Sequence, residues 1–525
     1  MERRTTMSRQ LDLSRRAMLG GTAALAGGLA FGDLARAQTK SGQLTVGVAG
    51  HLLTLDPGDA NDTLSQSAAR LMLEGLLTFD HNMQVVPLLA ESFEANDKAT
   101  EFTFHLRQGI TFHDGTPFDA EAVKINFERV ANPANHLKRL SLLSMLERVD
   151  VLDAHTARCV LKYPFGAFIP TIAHPALQLL SPAAIKTYGK QVGRHPVGTG
   201  PFAFASWQPD TLKVVKHAGY WQKGLPHLDA LTIRSDPEDG ARIAMLRAGE
   251  AQMITPIPPQ QAQLIQHDPK LALINDPSIV VRYIAMNVNK KPYNDPRVRQ
   301  ALNHAVNKEL FAKVVYNGFA DPLLSAEPPH ITFYQQQAAY DYNPEKAKQL
   351  LAAAGYAHGF EATMWGFNNT VAITGMQFLQ QQLAMVGVKL KVEPLEGGVM
   401  AARIWTVKHP SESHLEMYFG GWSSSTGDAD WALRPLFATA SFPPVLYNVG
   451  YYSNKAVDAA LKAGLETADP AKRGAAYAKA QKLIWDDAAW VFLGVERILD
   501  ARDKNLQDAY RLPDGGLMLD AARYA

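Results

Sequence analysis

Residues 101–130 read EFTFHLRQGITFHDGTPFDAEAVKINFERV. The reading of this stretch decides the fold class. Phe102, Phe104 and Leu106 alternate with polar residues, the period-two pattern of a half-buried strand, and the turn signal Gln108-Gly109 predicts a hairpin. A helix follows at once. Asp119 is its expected N-cap, Glu121 lies in its first turn, and Val123, Phe127 and Val130 fall on one face. A strand feeding a capped amphipathic helix in thirty residues points to mixed α/β architecture.

The same chemistry recurs along the chain. Asn343-Pro344-Glu345 predicts a helix start, with Leu350 and Leu351 buried and a stop at Gly355. Asp295-Pro296 and Asp469-Pro470 open two more helices. Strand-like runs SGQLTVGVAG, VGVKLKVEP and AWVFLGVE lie between helices, and no repeat of 20–50 residues is visible. Segments near 195–201, 281–287 and 490–497 look like crossings between self-contained blocks. A chain that returns at its end to its first block is what a hinged two-lobed clamp requires.

The N-terminus indicates the compartment. Arg15-Arg16 precedes the weakly apolar run GGTAALAGGLAFGDL, and Ala35-Arg36-Ala37 has the small-x-small form of a signal-peptidase site, with cleavage expected between Ala37 and Gln38. The arginine pair and low hydrophobicity resemble a twin-arginine export signal, with an ordinary Sec signal as the alternative. Residues 1–37 are therefore read as a cleaved export signal, and the mature chain as periplasmic. No later apolar run of about eighteen residues is found. Cleavage removes six arginines and three acids from the 52 basic and 51 acidic residues, leaving a net charge near −2. That balance argues against nucleic acid or an anionic membrane as partner. The single cysteine, Cys159, sits in a strand-like run and reads as inert core. Roughly 490 mature residues exceed one typical core, so two or three lobes are expected.

No HExxH, CxxC, P-loop or GxSxG pattern occurs. Gly198-Thr199-Gly200-Pro201 is a fragment of a dinucleotide motif whose proline does not suit a phosphate cradle. His113-Asp114-Gly115 reads as a turn tip, so no metal and no cofactor are expected. The stretch 420–431, GGWSSSTGDADW, is the most polar constellation. Asp428 and Asp430 lack the further oxygen ligands of a calcium loop, and nothing marks them as a glycosidase pair. A first-turn or capping role for Asp430 and an ion-pair role for Arg434 are the simpler readings.

The motif GITFHDGTPFDAEAVKINFERV resembles the signature region of the solute-binding proteins of peptide and nickel ABC importers. VGTGPFAFASWQPDTLKVVKHAGYW, YIAMNVNKKPYNDPRVRQALNHAVNK and YNPEKAKQLLAAAGY are similar to the family's other landmarks, in the same order. The resemblance covers roughly residues 42–525. It implies an α/β two-lobed periplasmic-binding clamp of the three-region peptide-binding kind, with mixed sheets and a hinge. The first lobe would be built from 42–75, 197–282 and 495–525, with a small domain inserted at 76–196, and the second lobe from 283–494. LDPGDANDTLSQ, ANPANHLKR, AHPA, KHAGYWQKGLPHLD, STGDADWALRPLFA, PPVLYN and YYSNKAVD are similar to the glutathione-binding members of that family. Dipeptide-binding members hold the peptide ammonium with an Asp that here is Ser425. They hold its carboxylate with an Arg in a loop that here reads Trp365-Gly366-Phe367-Asn368-Asn369. Neither anchor is present.

The resemblance therefore implies a binding protein, not an enzyme, that captures glutathione or a similar γ-glutamyl peptide by lobe closure. Its partner would be an inner-membrane ABC permease with its ATPase subunits, and it is expected to be monomeric. The expected contacts are Ser424, Ser425 and Thr426 for a carboxylate, Asp428 for the ammonium and Trp422 as a wall. Asn61, Asp62 and Thr63 would face them from the other lobe, with Asn368 and Asn369 beside them; Tyr283, at a lobe crossing, either touches ligand or packs. Other short peptides, opines, haem or nickel chelates stay open as cargo, as do a periplasmic hydrolase and a sensor or chaperone use of the clamp.

Overall fold

The computed structural model describes residues 42–525; the expected export signal lies outside them. Two long antiparallel strands, Leu271–Met286 and Trp490–Asp503, run side by side through the middle of an eleven-stranded mixed sheet. Their ladder is not continuous. The register shifts between Pro277 and Val281 and again between Arg282 and Tyr283. On one side of this break the sheet continues through Met253–Thr255, Gln43–Val48, Ala230–Ser235, Thr211–Lys216 and Phe202–Gln208. On the other it continues through Met417–Ser423, Phe360–Phe367 and Val388–Leu395. We use first lobe and second lobe for these two halves. A separate antiparallel sheet of Ala90–Ala95, Glu101–Leu106, Thr156–Leu161 and Leu146–Asp153 forms the small domain.

The helix starts follow their caps. Asp119 accepts from Ala122 N–H at 2.9 Å ahead of Ala120–Ala131, and Val123, Phe127 and Val130 are buried. Asn343 caps Pro344–Ala353, where Leu351 is buried and Gly355 stops the chain at φ +89°. Asp295 and Asp469 cap Pro296–Ala305 and Pro470–Asp486.

The expected hairpin at Gln108-Gly109 does not form. Gly109 does turn the chain, at φ +75°, but Glu101–Leu106 pairs with Ala90–Ala95 and Thr156–Leu161 instead. The reason is burial. Phe102 and Phe104 reach the aromatic core around Phe168 only with neighbours on both edges, which residues 110–118 are too short and turn-rich to supply. Cys159 is fully buried in the third of these strands, and burial pushes its thiol far up, so it is inert.

The Gly198-Thr199-Gly200 turn has a packing explanation. A Cβ on Gly198 would lie 2.2 Å from the Met72 carbonyl oxygen and one on Gly200 2.7 Å from the Met72 carbonyl carbon. Only glycine allows this approach. It brings Thr199 Oγ1 to Glu74 at 2.7 Å, where Tyr220 O–H donates at 2.7 Å and Trp221 Nε1–H at 2.9 Å. Glu74 is 4% exposed, and burial raises its pKa to about 7 against the three hydrogen bonds that lower it. The folded state thus holds the proton more tightly than the unfolded chain. Stability should be greatest below the ordinary value of 4.5 and fall as pH rises to 7, by about 3 kcal/mol from this group alone. Urea unfolding at pH 5 and pH 8 should show that loss, and Glu74→Gln should flatten it.

Candidate functional site

The strands Phe360–Phe367 and Met417–Ser423 are parallel, so the loops that follow them leave the sheet at one end. One loop carries Asn368 and Asn369, the other Ser424 to Asp428. The second meets the small domain across a seam between lobes. His174 Nε2 lies 3.1 Å from Ser425 Oγ. Gly427, at φ +65°, approaches so closely that a Cβ would be 3.0 Å from the Met83 carbonyl. Farther along, Gly166 N–H donates to the Leu465 carbonyl at 2.7 Å, and a Cβ there would lie 2.0 Å from the Thr467 oxygen. A cavity of about 530 Å³ opens at the strand crossing, between Pro256–Gln260 and Gly515 of the first lobe and Asn369 and Tyr316 of the second. That is within the usual range for small-molecule sites. Its floor is closed by Arg282, whose Nε donates to Glu496 at 2.5 Å while Tyr316 O–H donates to the same oxygen at 2.7 Å.

The polar lip is largely satisfied from within. Ser424 Oγ donates to the Asp428 carbonyl at 3.1 Å, and Thr426 is buried. Asp428 is 1% exposed and caps Ala429–Phe437. Its Oδ1 accepts from Asp430 N–H at 2.9 Å and from Arg473 at 2.8 Å. Burial raises its pKa and Arg473 opposes that. The carboxylate offered by the sequence for a ligand ammonium is thus turned to Arg473. Asp430 takes Arg434 in a two-pronged pair at 2.8 Å on both prongs, the ion-pair role expected for that arginine. Behind them Glu327 is fully buried with no hydrogen-bond partner on either oxygen among the described residues, and burial, then Asp428, hold it well above the usual carboxylate range. Trp422 is half-buried; its indole N–H donates to the Trp431 carbonyl at 2.9 Å and its ring lies 5.1 Å from that of Tyr447.

Tyr283 packs. It is 3% exposed and stacks on Trp490 with ring centres 3.5 Å apart. Asn368 is exposed and donates to Glu396 at 2.9 Å, and Asn369 caps Thr370–Ala384. On the first lobe, Asn61 and Thr63 are exposed beside the start of the helix Thr63–Arg70. Asp62 caps that helix through Oδ1, at 2.7 Å from Ser65 N–H, while its Oδ2 is buried without a partner among the described residues.

The structure adds residues that were not singled out from the sequence. Arg139 Nε donates to the Ala60 carbonyl at 2.8 Å, within electrostatic reach of Asp62 and of Tyr447. Arg70 donates to the Met518 sulfur at 2.8 Å. Among the described residues neither guanidinium has a carboxylate ion-pair partner. His174 is buried, and burial, then Arg139 and Arg70, lower its pKa to about 3. Its Nδ1 accepts from Ala176 N–H at 3.0 Å, so Nε2 carries the proton and donates to Ser425. Arg139 and His174 stand in ANPANHLKR and AHPA, stretches legible as landmarks. A lone basic residue in a turn has no periodicity to mark it.

The sequence model of the family described as "Bacterial extracellular solute-binding proteins, family 5 Middle" matches residues 84–443. The glutathione-binding protein GsiB of Escherichia coli O1:K1 is 44% identical over 497 residues, 94% of this chain and 97% of that one. GsiB of Salmonella typhimurium strain LT2 is 45% identical over 481 residues, 91% and 94% of the two chains. Among solved structures, HbpA2 from Haemophilus parasuis superposes with a TM-score of 0.82 at 26% identity, covering 92% of this chain and all of that one. The periplasmic binding protein DppA from Helicobacter pylori, in complex with the peptide STSA, gives 0.76 at 27% identity, covering 92% and 98%.

Removing one member of a buried pair strands the other. Arg473→Met should destabilise the protein by about 3–5 kcal/mol in urea unfolding, and adding Asp428→Asn to it should recover much of that loss.

Proposed function

The chain belongs to the family 5 bacterial extracellular solute-binding proteins, and from that premise we propose that it captures glutathione in the periplasm for an ABC importer. Near full-length identity to glutathione-binding proteins carries this reading. The chemistry at the seam supports it. Glutathione brings two carboxylates and one ammonium, and burying any of them unpaired costs several kcal/mol. Among the described residues, Arg70 and Arg139 carry guanidiniums without carboxylate partners and Asp62 a buried unpartnered oxygen, while Ser425 brings a hydroxyl from the other lobe.

Closure follows from where these groups stand. Asp62 and Arg139 belong to one side, Ser425 and Trp422 to the other, so a ligand touching both binds the closed form better and shifts the population toward it. The protein performs no chemistry in this account. It acts as a monomer and presents its closed shape to an inner-membrane permease with its ATPase subunits. The peptide-bound relative from Helicobacter pylori favours ordinary peptides as the second reading. Against it stand Ser425 and the stretch 365–369, at the end of the strand Phe360–Phe367 and the start of the loop after it, which lack the charges that would anchor a dipeptide's two ends.

Isothermal titration of ligand-stripped protein, cut after Ala37, decides between them. Reduced glutathione should bind one to one with a micromolar Kd, equivalent to about −8.2 kcal/mol, and Ala-Ala should give no heat. Oxidised glutathione run in parallel sets the preference between redox forms. Tight Ala-Ala binding without a glutathione signal overturns the proposal.

A further inference from the structure

The acid Asp62 and the cation Arg139 stand together on the first lobe, and neither is used up by the fold. Asp62 spends Oδ1 on the helix cap at Ser65 N–H and leaves Oδ2 buried and unpartnered. A buried carboxylate oxygen in that state is costly unless something fills it. Arg139 is fixed by its Nε to the carbonyl of Ala60, two residues before Asp62, which anchors the guanidinium to the same loop as the acid. The charge of the acid reaches Arg139, and among the described residues the two make no direct ion pair. Tyr447 of the second lobe is also within electrostatic reach of Arg139, and its ring packs on Trp422, so the second lobe has an aromatic pair on the side of this corner.

We propose that Asp62 and Arg139 form a subsite for a free α-amino-acid head, the ammonium on Asp62 and the α-carboxylate on Arg139, and that this subsite selects γ-linked over α-linked peptides. The inference rests on the glutathione reading and deepens it. In a γ-glutamyl peptide the ammonium and a carboxylate share one carbon, a zwitterion matched by an acid and a guanidinium side by side. In an α-linked peptide the first carbon carries the ammonium and a neutral amide carbonyl, and the glutamyl carboxylate hangs on the far end of the side chain. Such a ligand satisfies Asp62 and leaves Arg139 facing a neutral oxygen. Discrimination comes from the unpaired charge as much as from the paired one.

The pair of isomers isolates the geometry, because γ-Glu-Cys-Gly and α-Glu-Cys-Gly have the same atoms and the same charges. Titration of both into the wild-type protein, Arg139→Gln, Arg139→Lys and Asp62→Asn should separate the contributions. Wild type should prefer the γ isomer at least tenfold, which is 1.4 kcal/mol. Arg139→Gln should weaken glutathione at least tenfold and bring the isomer ratio close to one, and Arg139→Lys should restore part of both. Asp62→Asn keeps the helix-cap acceptor, so a normal thermal melt together with weakened glutathione isolates the lost charge. Equal affinity for the two isomers in wild type, or folded Arg139→Gln and Asp62→Asn proteins that bind glutathione as wild type does, overturns the subsite and leaves the glutathione reading intact. Failure of wild type to bind either isomer overturns both.

Discussion

Both lobes share two strands, and the break in the ladder between those strands is the constraint on which the rest depends. Up to Pro277 the strands Leu271–Met286 and Trp490–Asp503 pair inside the first lobe, and from Val281 they pair inside the second. Between these points main-chain bonds give way to side chains. Ser278 Oγ donates to the Glu496 carbonyl at 2.5 Å, and Arg282, Tyr316 and Glu496 tie the two strands from one face. Ladder bonds on either side resist bending, so the few residues without them absorb any change in angle between the lobes. The cleft therefore opens and closes at one place, and groups on its two walls meet in a fixed register.

The lip is rigid for a different reason. Asp428 and Asp430 are both almost wholly buried, each held by one arginine, and burial holds the Glu327 carboxyl well above the usual carboxylate range beside them. The acids of this loop are committed inward, which leaves Ser425 as its polar group at the seam. On the proposed reading the positive side of recognition falls to Arg70 and Arg139, which are not neutralised by protein carboxylates among the described residues.

Local chemistry was the legible part of the sequence. Asp119, Asn343, Asp295 and Asp469 cap helices through contacts two or three residues away, and the alternation at Phe102, Phe104 and Leu106 reports a real strand. What was not legible depends on distant partners. The strand at 101–106 looked like half a hairpin because its true neighbours come from other parts of the small domain. Asp428 looked available because Arg473 lies 45 residues downstream. Glu74 drew no notice, since its three hydrogen-bond donors lie 125 to 147 residues away. The landmarks that placed the chain in its family bracketed the candidate site without revealing which side chain in each stretch carries charge into it.

The seam at Gly166 has a kinetic consequence. Its contacts with Leu465 and Thr467 join the lobes at a point distinct from the His174–Ser425 contact, and they involve backbone groups alone on both sides. Such contacts form whatever the cargo is. They add the same increment to the closed state for every ligand and so contribute nothing to choosing among them. What they govern is dwell time, because the clamp must part at this seam before any cargo can leave. Recognition and release are thereby written in different residues, and a lineage could retune the rate of hand-over to the membrane without altering which molecule is carried.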